Sequence, residues 1–316
     1  MRPVRKALAG ALLGVLALAG CGQNTPQAAA TPSPAASASS SSAFPVTVDA
    51  GNGKVTIQSR PERIVSLSPT ATETLFAIGA GPQVVAVDDQ SNHPPEAPKT
   101  SLSGYKPNAE AIAEYRPDLV VVSNDNDGIV GELTKLQVPV LVEPSAGRLE
   151  DVYDQITDLG AATGHADEAA KVAQEVRSRI EKAAASVPRD AELTYYHELD
   201  TTPYSVTSET FIGRIYGLFG LTNIADKAPD AAGGYPKLSA EFIAEADPDL
   251  IFLADTKCCG QSRETLAKRP GWSGLSAVKN DRVVQLDDDI ASRWGPRVAD
   301  LAETVGEAVR QATAER

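Results

Sequence analysis

Few residues of this chain are of types that do covalent or metal chemistry, and their spacing suits that chemistry poorly. The three histidines are His93, His165 and His197, and a zinc carrier needs several imidazoles converging on one ion. His165 opens a helical pattern where it faces solvent, so at most two can meet. Ser123-Asn124-Asp125-Asn126-Asp127-Gly128 looks like a calcium loop, but it starts with Ser and has Thr134 where a bidentate Glu belongs. Gly79-Ala80-Gly81 is followed by Pro82 and lacks the third glycine of a dinucleotide fingerprint. Apart from Cys21, the cysteines are the adjacent pair Cys258 and Cys259, too few for a disulfide framework. Neighbouring Cα atoms are only about 3.8 Å apart, below the usual disulfide range. A vicinal disulfide bordering a cleft and a reduced pair with one sulfur packed inside both stay open. No catalytic residue and no metal site is expected, so the inventory points to binding.

The chemistry that does recur is a carboxylate. Asn108 to Val120 reads NAEAIAEYRPDLV and Ser239 to Ile251 reads SAEFIAEADPDLI, offset by 131 residues with 8 of 13 positions identical. Each copy has a capping residue, a short amphipathic helix, a Pro-Asp break and an apolar strand, Leu119–Val122 or Leu250–Leu253. Glu110 and Glu241 occupy the same first-turn position, where a helix dipole favours an acid. A unit said once per half, at a spacing far beyond a solenoid repeat, implies two similar lobes that face each other across a crease.

The elements that position these groups follow a strand–helix alternation. Val46–Asp49 and Lys54–Ile57 form a hairpin around Gly51-Asn52-Gly53. Then come a strand at Ile64–Leu67, a helix from Ser68 to Ile78, strands at Val84–Val87 and Val138–Val142, and a helix near Ile129–Leu136. Helices are expected over Leu149–Gly160 and Ala166–Ser186, the second about 30 Å long and suited to a strut between lobes. Further elements are Leu193–Tyr196, Glu209–Phe219, Val283–Leu286 and a last helix from about Arg297 to Thr313. The expected fold is α/β: two similar lobes with mostly parallel sheets, joined by one long helix.

The N-terminus belongs to targeting. Arg2, Arg5 and Lys6 precede an apolar run, Ala7 to Gly20, that ends in Leu18-Ala19-Gly20-Cys21. That order is a secretory signal, too short to span a bilayer comfortably, and the Cys makes it a bacterial lipobox. Cleavage before Cys21 and lipid attachment to its thiol are expected. Gln23 to Ser42 has neither charge nor aromatic and reads as a disordered tether. The expected division is 1–20 signal, 21–45 lipidated Cys and tether, 46–160 first lobe, 161–187 connecting helix and 188–316 second lobe. Loss of a leader with three positive charges takes the net charge from −13 to −16, which argues against nucleic acid and against broad contact with anionic lipid.

The ordered segments RIVSLSPTATETLFAIGAG, VVAVDDQSNHPPEA, PNAEAIAEYRPDLVVV, GLTNIAD and PDLIFLAD resemble the cobalamin and iron-siderophore binding proteins of bacterial ABC importers, from about Arg63 to Arg310. The resemblance implies two lobes joined by one long helix with ligand between them. It implies an ABC permease dimer with its ATPase subunits as partner, docked through Glu110 and Glu241. The cargo it implies is cobalamin or another corrinoid, with a ferric hydroxamate-type siderophore as the alternative. Strand-end loops should supply ligand contacts: Asp88, Asp89, Gln90 and Tyr105 from the first lobe, Tyr235, Asp289, Arg293 and Trp294 from the second. Among these, the family pattern marks Gln90, Tyr105, Tyr235 and the Asp289–Trp294 stretch, although Gln90 stands where a cobalamin binder has an aromatic. Trp294 is expected in the cleft and Trp272 outside it. Aspartates dominate these loops and disfavour strongly anionic cargo, an effect that Arg293 and Arg297 temper. An enzyme on a similar scaffold would need more Cys or His at the crease, and a structural envelope lipoprotein would need no paired carboxylates.

Overall fold

The computed structural model describes residues 44–188, 190–230 and 232–314. The signal segment, Cys21 and nearly all of the tether lie outside the described residues. The chain opens with an antiparallel hairpin, β1 (Val46–Ala50) and β2 (Gly53–Ile57), in register from Val46 opposite Ile57 to Ala50 opposite Gly53.

Two four-stranded parallel sheets follow. The first contains β3 (Ile64–Leu67), β4 (Val84–Val87), β5 (Leu119–Val122) and β6 (Val140–Val142), in the order β4-β3-β5-β6. Its helices are α1 (Pro69–Ala77), α2 (Ala109–Ala113) and α3 (Ile129–Lys135). All four residues of β5 are buried, as an apolar run covered on both faces must be. β6 is the edge strand, and the hairpin tip closes it. The Gly51 N–H donates to Val142 O at 2.7 Å, while the Asn52 amide donates to Val140 O and accepts from Val142 N. One side-chain amide thus stands in for a missing neighbouring strand.

The second sheet contains β7 (Thr194–Glu198), β8 (Thr222–Asn223), β9 (Leu250–Leu253) and β10 (Val283–Gln285), ordered β8-β7-β9-β10, the same topology. The 131-residue offset is carried into the register: Ile64 lies opposite Leu119 and Tyr195 opposite Leu250. It also explains the repeated Pro-Asp. The Asp118 carboxylate accepts the N–H groups of Glu62 and Arg63, and Asp249 accepts the N–H and hydroxyl of Thr194. Each aspartate therefore pins the start of its neighbouring strand. Arg116 and Asp247, another equivalent pair, both turn the chain at positive φ, 48° and 42°. The helices of this lobe are α6 (Phe211–Gly217), α7 (Ala240–Ala246), α8 (Thr256–Cys259), α9 (Arg263–Ala267), α10 (Ser276–Lys279), α11 (Asp288–Ser292) and α12 (Val298–Ala314).

Between the sheets run α4 (Leu149–Thr163) and α5 (Ala166–Ala185), turned at Gly164 with φ 75°. The long helix is built into the body along its length. Its buried stripe, Ala169, Ala173, Val176, Ile180 and Ala183, recurs at steps of three and four. A Cβ at Gly160 would meet the Ala169 Cβ at 2.2 Å, so glycine lets α4 approach closely. On its other side Arg179 bridges to Asp300 and Glu303 of α12, each at 2.6 Å. One apolar core consequently runs from the hairpin and first sheet through α4, α5 and α12 to the second sheet, with a separate cluster on the far face of each sheet.

Among the differences from the sequence reading, two boundaries and one strand have a clear cause. Helix α4 runs past Gly160 to Thr163, because Gly164 is the glycine that adopts the left-handed cap. Strand β6 starts at Val140, since Gln137 at φ 61° and Pro139 hold the preceding residues in a turn. The two-residue β8 is too short to carry a periodic signal.

Candidate ligand cleft and docking surface

In each sheet the chain leaves the central strand pair toward opposite sides, so the switch point, where ligands of open α/β sheets bind, falls at the C-terminal ends of β3 and β5 and of β7 and β9. The loop after β4 is fixed from below by a buried hydroxyl chain, Ser66 to Thr72 to Ser91, which ends on the Asp88 carboxylate. Asp88 is itself buried, and burial raises its pKa above the ordinary aspartate value despite the Ser91 bond. Its side chain therefore braces the loop from inside. Asp89 and Gln90 are exposed on the same loop.

Two large aromatics stand out of the surface beside the repeat helices: Tyr105, 80% exposed, and Tyr235, 47% exposed. Each follows a glycine, Gly104 or Gly234, at an offset of 130 residues, one short of the repeat. A Cβ at Gly104 would lie 2.5 Å from Leu67 O and 2.8 Å from the Asp88 carboxylate. Gly234 is required for another reason, its φ of 101°.

The segment Asp287 to Arg297 makes contacts between the two lobes. Arg293 reaches the first lobe, donating to Glu73 Oε1 at 2.7 Å, Asn92 Oδ1 at 2.9 Å and Gln90 O at 3.0 Å, and back to Asp289 at 2.7 Å. Arg297 donates through Nε and Nη2 to both oxygens of the same Glu73. Asp289 accepts from Asn92 and from Lys257, each at 3.0 Å. Burial alone would raise its pKa, but the Lys257 and Arg293 cations outweigh it and hold the carboxyl low. Asp289 and Arg293 are thus clamp residues between lobes. Trp294 is half-buried against the central core, with its indole N–H on Gln155 of α4 at 3.2 Å. Trp272 is buried in the core of the second lobe.

The aspartate count therefore overstates the negative field at the crevice. Asp287 and Asp289 share Lys257, and Asp288 accepts the N–H groups of Thr256, Lys257 and Cys258. Glu198, another strand-end acid, is buried and paired with Arg269 through two bonds of 2.6 Å. Beside it the fully buried Asp255 has no donor on either oxygen, and burial together with the Glu198 charge raises its pKa. Sequence reasoning missed Glu73, Asn92 and Lys257, whose role depends on contacts some 200 residues or 30 residues away in the chain. Arg297, which immediately precedes the last helix, lies at the centre of the clamp.

Cys258 and Cys259 are joined as a vicinal disulfide with both residues exposed. His197 sits in the core with Nδ1 2.8 Å from the Tyr216 hydroxyl, and burial pushes its pKa down to about 3. Among the described residues no three His, Cys, Asp or Glu side chains are grouped to hold a metal ion, and no helix is long and apolar enough to cross a membrane. Glu110 and Glu241 project from the first turns of α2 and α7, both exposed, below caps made by Asn108 and Ser239.

Known proteins share this plan. An uncharacterized ABC transporter substrate-binding lipoprotein of Bacillus subtilis, YvrC, is 30% identical over 309 residues, 94% of each chain. A cobalamin-binding protein of Halobacterium salinarum is 33% identical over 312 residues, 95% of this chain and 83% of its own. The crystal structure of the periplasmic vitamin B12 binding protein of Vibrio cholerae superposes with a TM-score of 0.66 at 25% identity, covering 80% of this chain and 98% of that one. The model of the periplasmic binding protein family matches residues 64–290, and with two parallel-sheet lobes of one topology, the chain belongs to that family of substrate-binding proteins.

Proposed function

We propose that this protein is a lipid-anchored, extracytoplasmic carrier that captures cobalamin or a related corrinoid and delivers it to an ABC importer, without doing covalent chemistry. The observation that carries the delivery half is the pair Glu110 and Glu241, one exposed first-turn carboxylate at the same place in each lobe. A permease built as a symmetric dimer offers two equivalent basic pockets, and a pseudo-symmetric carrier can present one acid to each. Such rim charges chiefly set orientation and association rate. The cargo half rests on the name of the H. salinarum relative and on Tyr105 and Tyr235, exposed aromatics suited to walls for a large flat ligand. Asp89 and Gln90, exposed on the loop between them and the clamp, complete the proposed contact set. Anchoring rests on the Leu-Ala-Gly-Cys21 ending of the leader and on the lipoprotein name of YvrC.

Titration calorimetry with cyanocobalamin and with a ferric hydroxamate tests the cargo. Saturable 1:1 heat with cyanocobalamin alone supports the reading, binding of the ferric hydroxamate alone transfers the same role to a siderophore, and heat from neither overturns the cargo. For delivery, Glu110→Ala with Glu241→Ala should abolish uptake in cells while leaving ligand affinity unchanged. Normal uptake by the double variant refutes docking through this pair.

A further inference from the structure

The disulfide Cys258–Cys259 has no evident structural reason to exist. A cross-link stabilises by closing a loop of chain, and adjacent residues, at sequence separation 1, enclose none. Both residues are exposed, so the sulfurs fill no core. Yet the turn that carries them is fixed with care. Asp288 accepts from the backbone of Thr256, Lys257 and Cys258 at 2.9 to 3.0 Å and from the Thr256 hydroxyl at 2.9 Å. Lys257, between the anchor and the sulfurs, binds Asp289, which in turn accepts from Asn92 of the first lobe.

Position and chemistry give this fixed turn a purpose. It follows β9 and so stands at the C-terminal end of a central strand, where ligands of open α/β sheets bind. Its counterpart by the 131-residue offset is the turn Asn126–Gly128 of the first lobe, whose Asn126 amide donates to Gly104 O beside Tyr105. The two turns occupy equivalent strand-end positions in the two lobes, one polar and one sulfur-bearing. An oxidised pair offers no donor and only weak acceptors, but it has a polarisable surface that favours aromatic and conjugated faces. The polar groups around it are already engaged by Asp287, Asp288 and Asp289. What the rim presents is a small, rigid, apolar ledge.

We propose that the Cys258–Cys259 disulfide is a ligand-contacting wall of the cleft that packs against the apolar edge of a corrinoid macrocycle. The inference rests on the cargo reading above and adds a specificity element to it. The test compares cyanocobalamin binding by the wild-type protein with that of the Cys258→Ser/Cys259→Ser and Cys258→Ala/Cys259→Ala double variants. Because both side chains are exposed, the variants should melt with the wild type, which circular dichroism checks. A second measurement follows reduction of the wild-type disulfide by dithiothreitol, in which the reagent's two thiols are oxidised to its cyclic disulfide and two protein thiols form, trapped by alkylation and counted by mass.

Loss of the ledge should weaken cyanocobalamin by about tenfold in both variants, and saturating cyanocobalamin should slow reduction at least as much. If the wild type binds cyanocobalamin while the variants stay within twofold, the inference falls and the cargo reading stands. Weaker binding by the variants without ligand protection of the disulfide assigns the pair a structural role and equally overturns the inference. Failure of the wild type to bind cyanocobalamin overturns the cargo reading and this inference with it.

Discussion

The clamp between the lobes makes a quantitative prediction at Glu73. This carboxylate is buried on α1 and takes three charge-assisted bonds, one from Arg293 and two from Arg297. Replacing it with alanine removes the acceptor and leaves two guanidinium groups whose side chains are only 10% and 19% exposed. Breaking a buried pair from one side costs about 3–5 kcal/mol, because the remaining charge is left without compensation. Arg293 keeps Asn92, Gln90 O and Asp289, whereas both hydrogen bonds made by Arg297 go to Glu73. The lower end, about 3 kcal/mol, is therefore expected. For a body of this size that corresponds to a fall in Tm of roughly 6–12 °C. Glu73→Gln keeps the shape and one acceptor and should cost less. The assay is thermal and urea unfolding of Glu73→Ala, Arg297→Ala and the double variant. The cycle should return a coupling of at least about 2 kcal/mol. A Tm within 2 °C of wild type, or additive single effects, would refute the view that this pair holds the lobes together.

Burial pushes the Glu143 pKa up to about 8, with the charge of Asp158 adding to the effect. A carboxyl whose folded pKa is raised binds more protons when folded, so its stabilising contribution is full below the unfolded value and is lost as pH climbs toward 8. Melts of wild type and Glu143→Gln should nearly agree near pH 5 and separate by pH 8, with the variant more stable by roughly 4 kcal/mol; parallel pH profiles would contradict this. Gly104→Ala should cost about 1–3 kcal/mol, since its Cβ would press on Leu67 O and the Asp88 carboxylate. It should also weaken ligand binding if Tyr105 is a wall, which unfolding and calorimetry measure together. Asn52→Ala should bare the edge of β6 and cost about 1–2 kcal/mol through the two bonds lost to Val140 and Val142, read from hydrogen exchange at Val142.

Much of the architecture is written locally. Asn108 and Ser239 cap their helices, Pro-Asp ends them, and the four-residue apolar, β-branched runs that follow read as strands buried on both faces. Because these signals lie within a few residues of one another, the repeat could be read in one dimension. It foretold two lobes of one topology and a pair of equivalent, exposed glutamates. The disulfide was half legible: adjacency was plain, but the oxidation state was not.

What sequence alone could not decide is which charged side chain meets which. Asp88, Asp289, Arg293 and Trp294 all follow strand ends, and the structure turns Asp88 inward while the other three make contacts between the lobes. Whether a loop residue faces ligand or the opposite lobe depends on partners such as Glu73, Asn92 and Gln155, which are 139 to 220 residues away. No local propensity encodes a contact of that span. Charge follows the same rule: the sequence counts aspartates, but only the tertiary structure pairs Asp287 and Asp289 with Lys257, caps the turn of the disulfide with Asp288 and seals Glu198 against Arg269. Secondary structure and its repetition come from interactions between near neighbours, which a sequence holds explicitly, whereas the field and shape of the crevice come from distant groups brought together when the core closes.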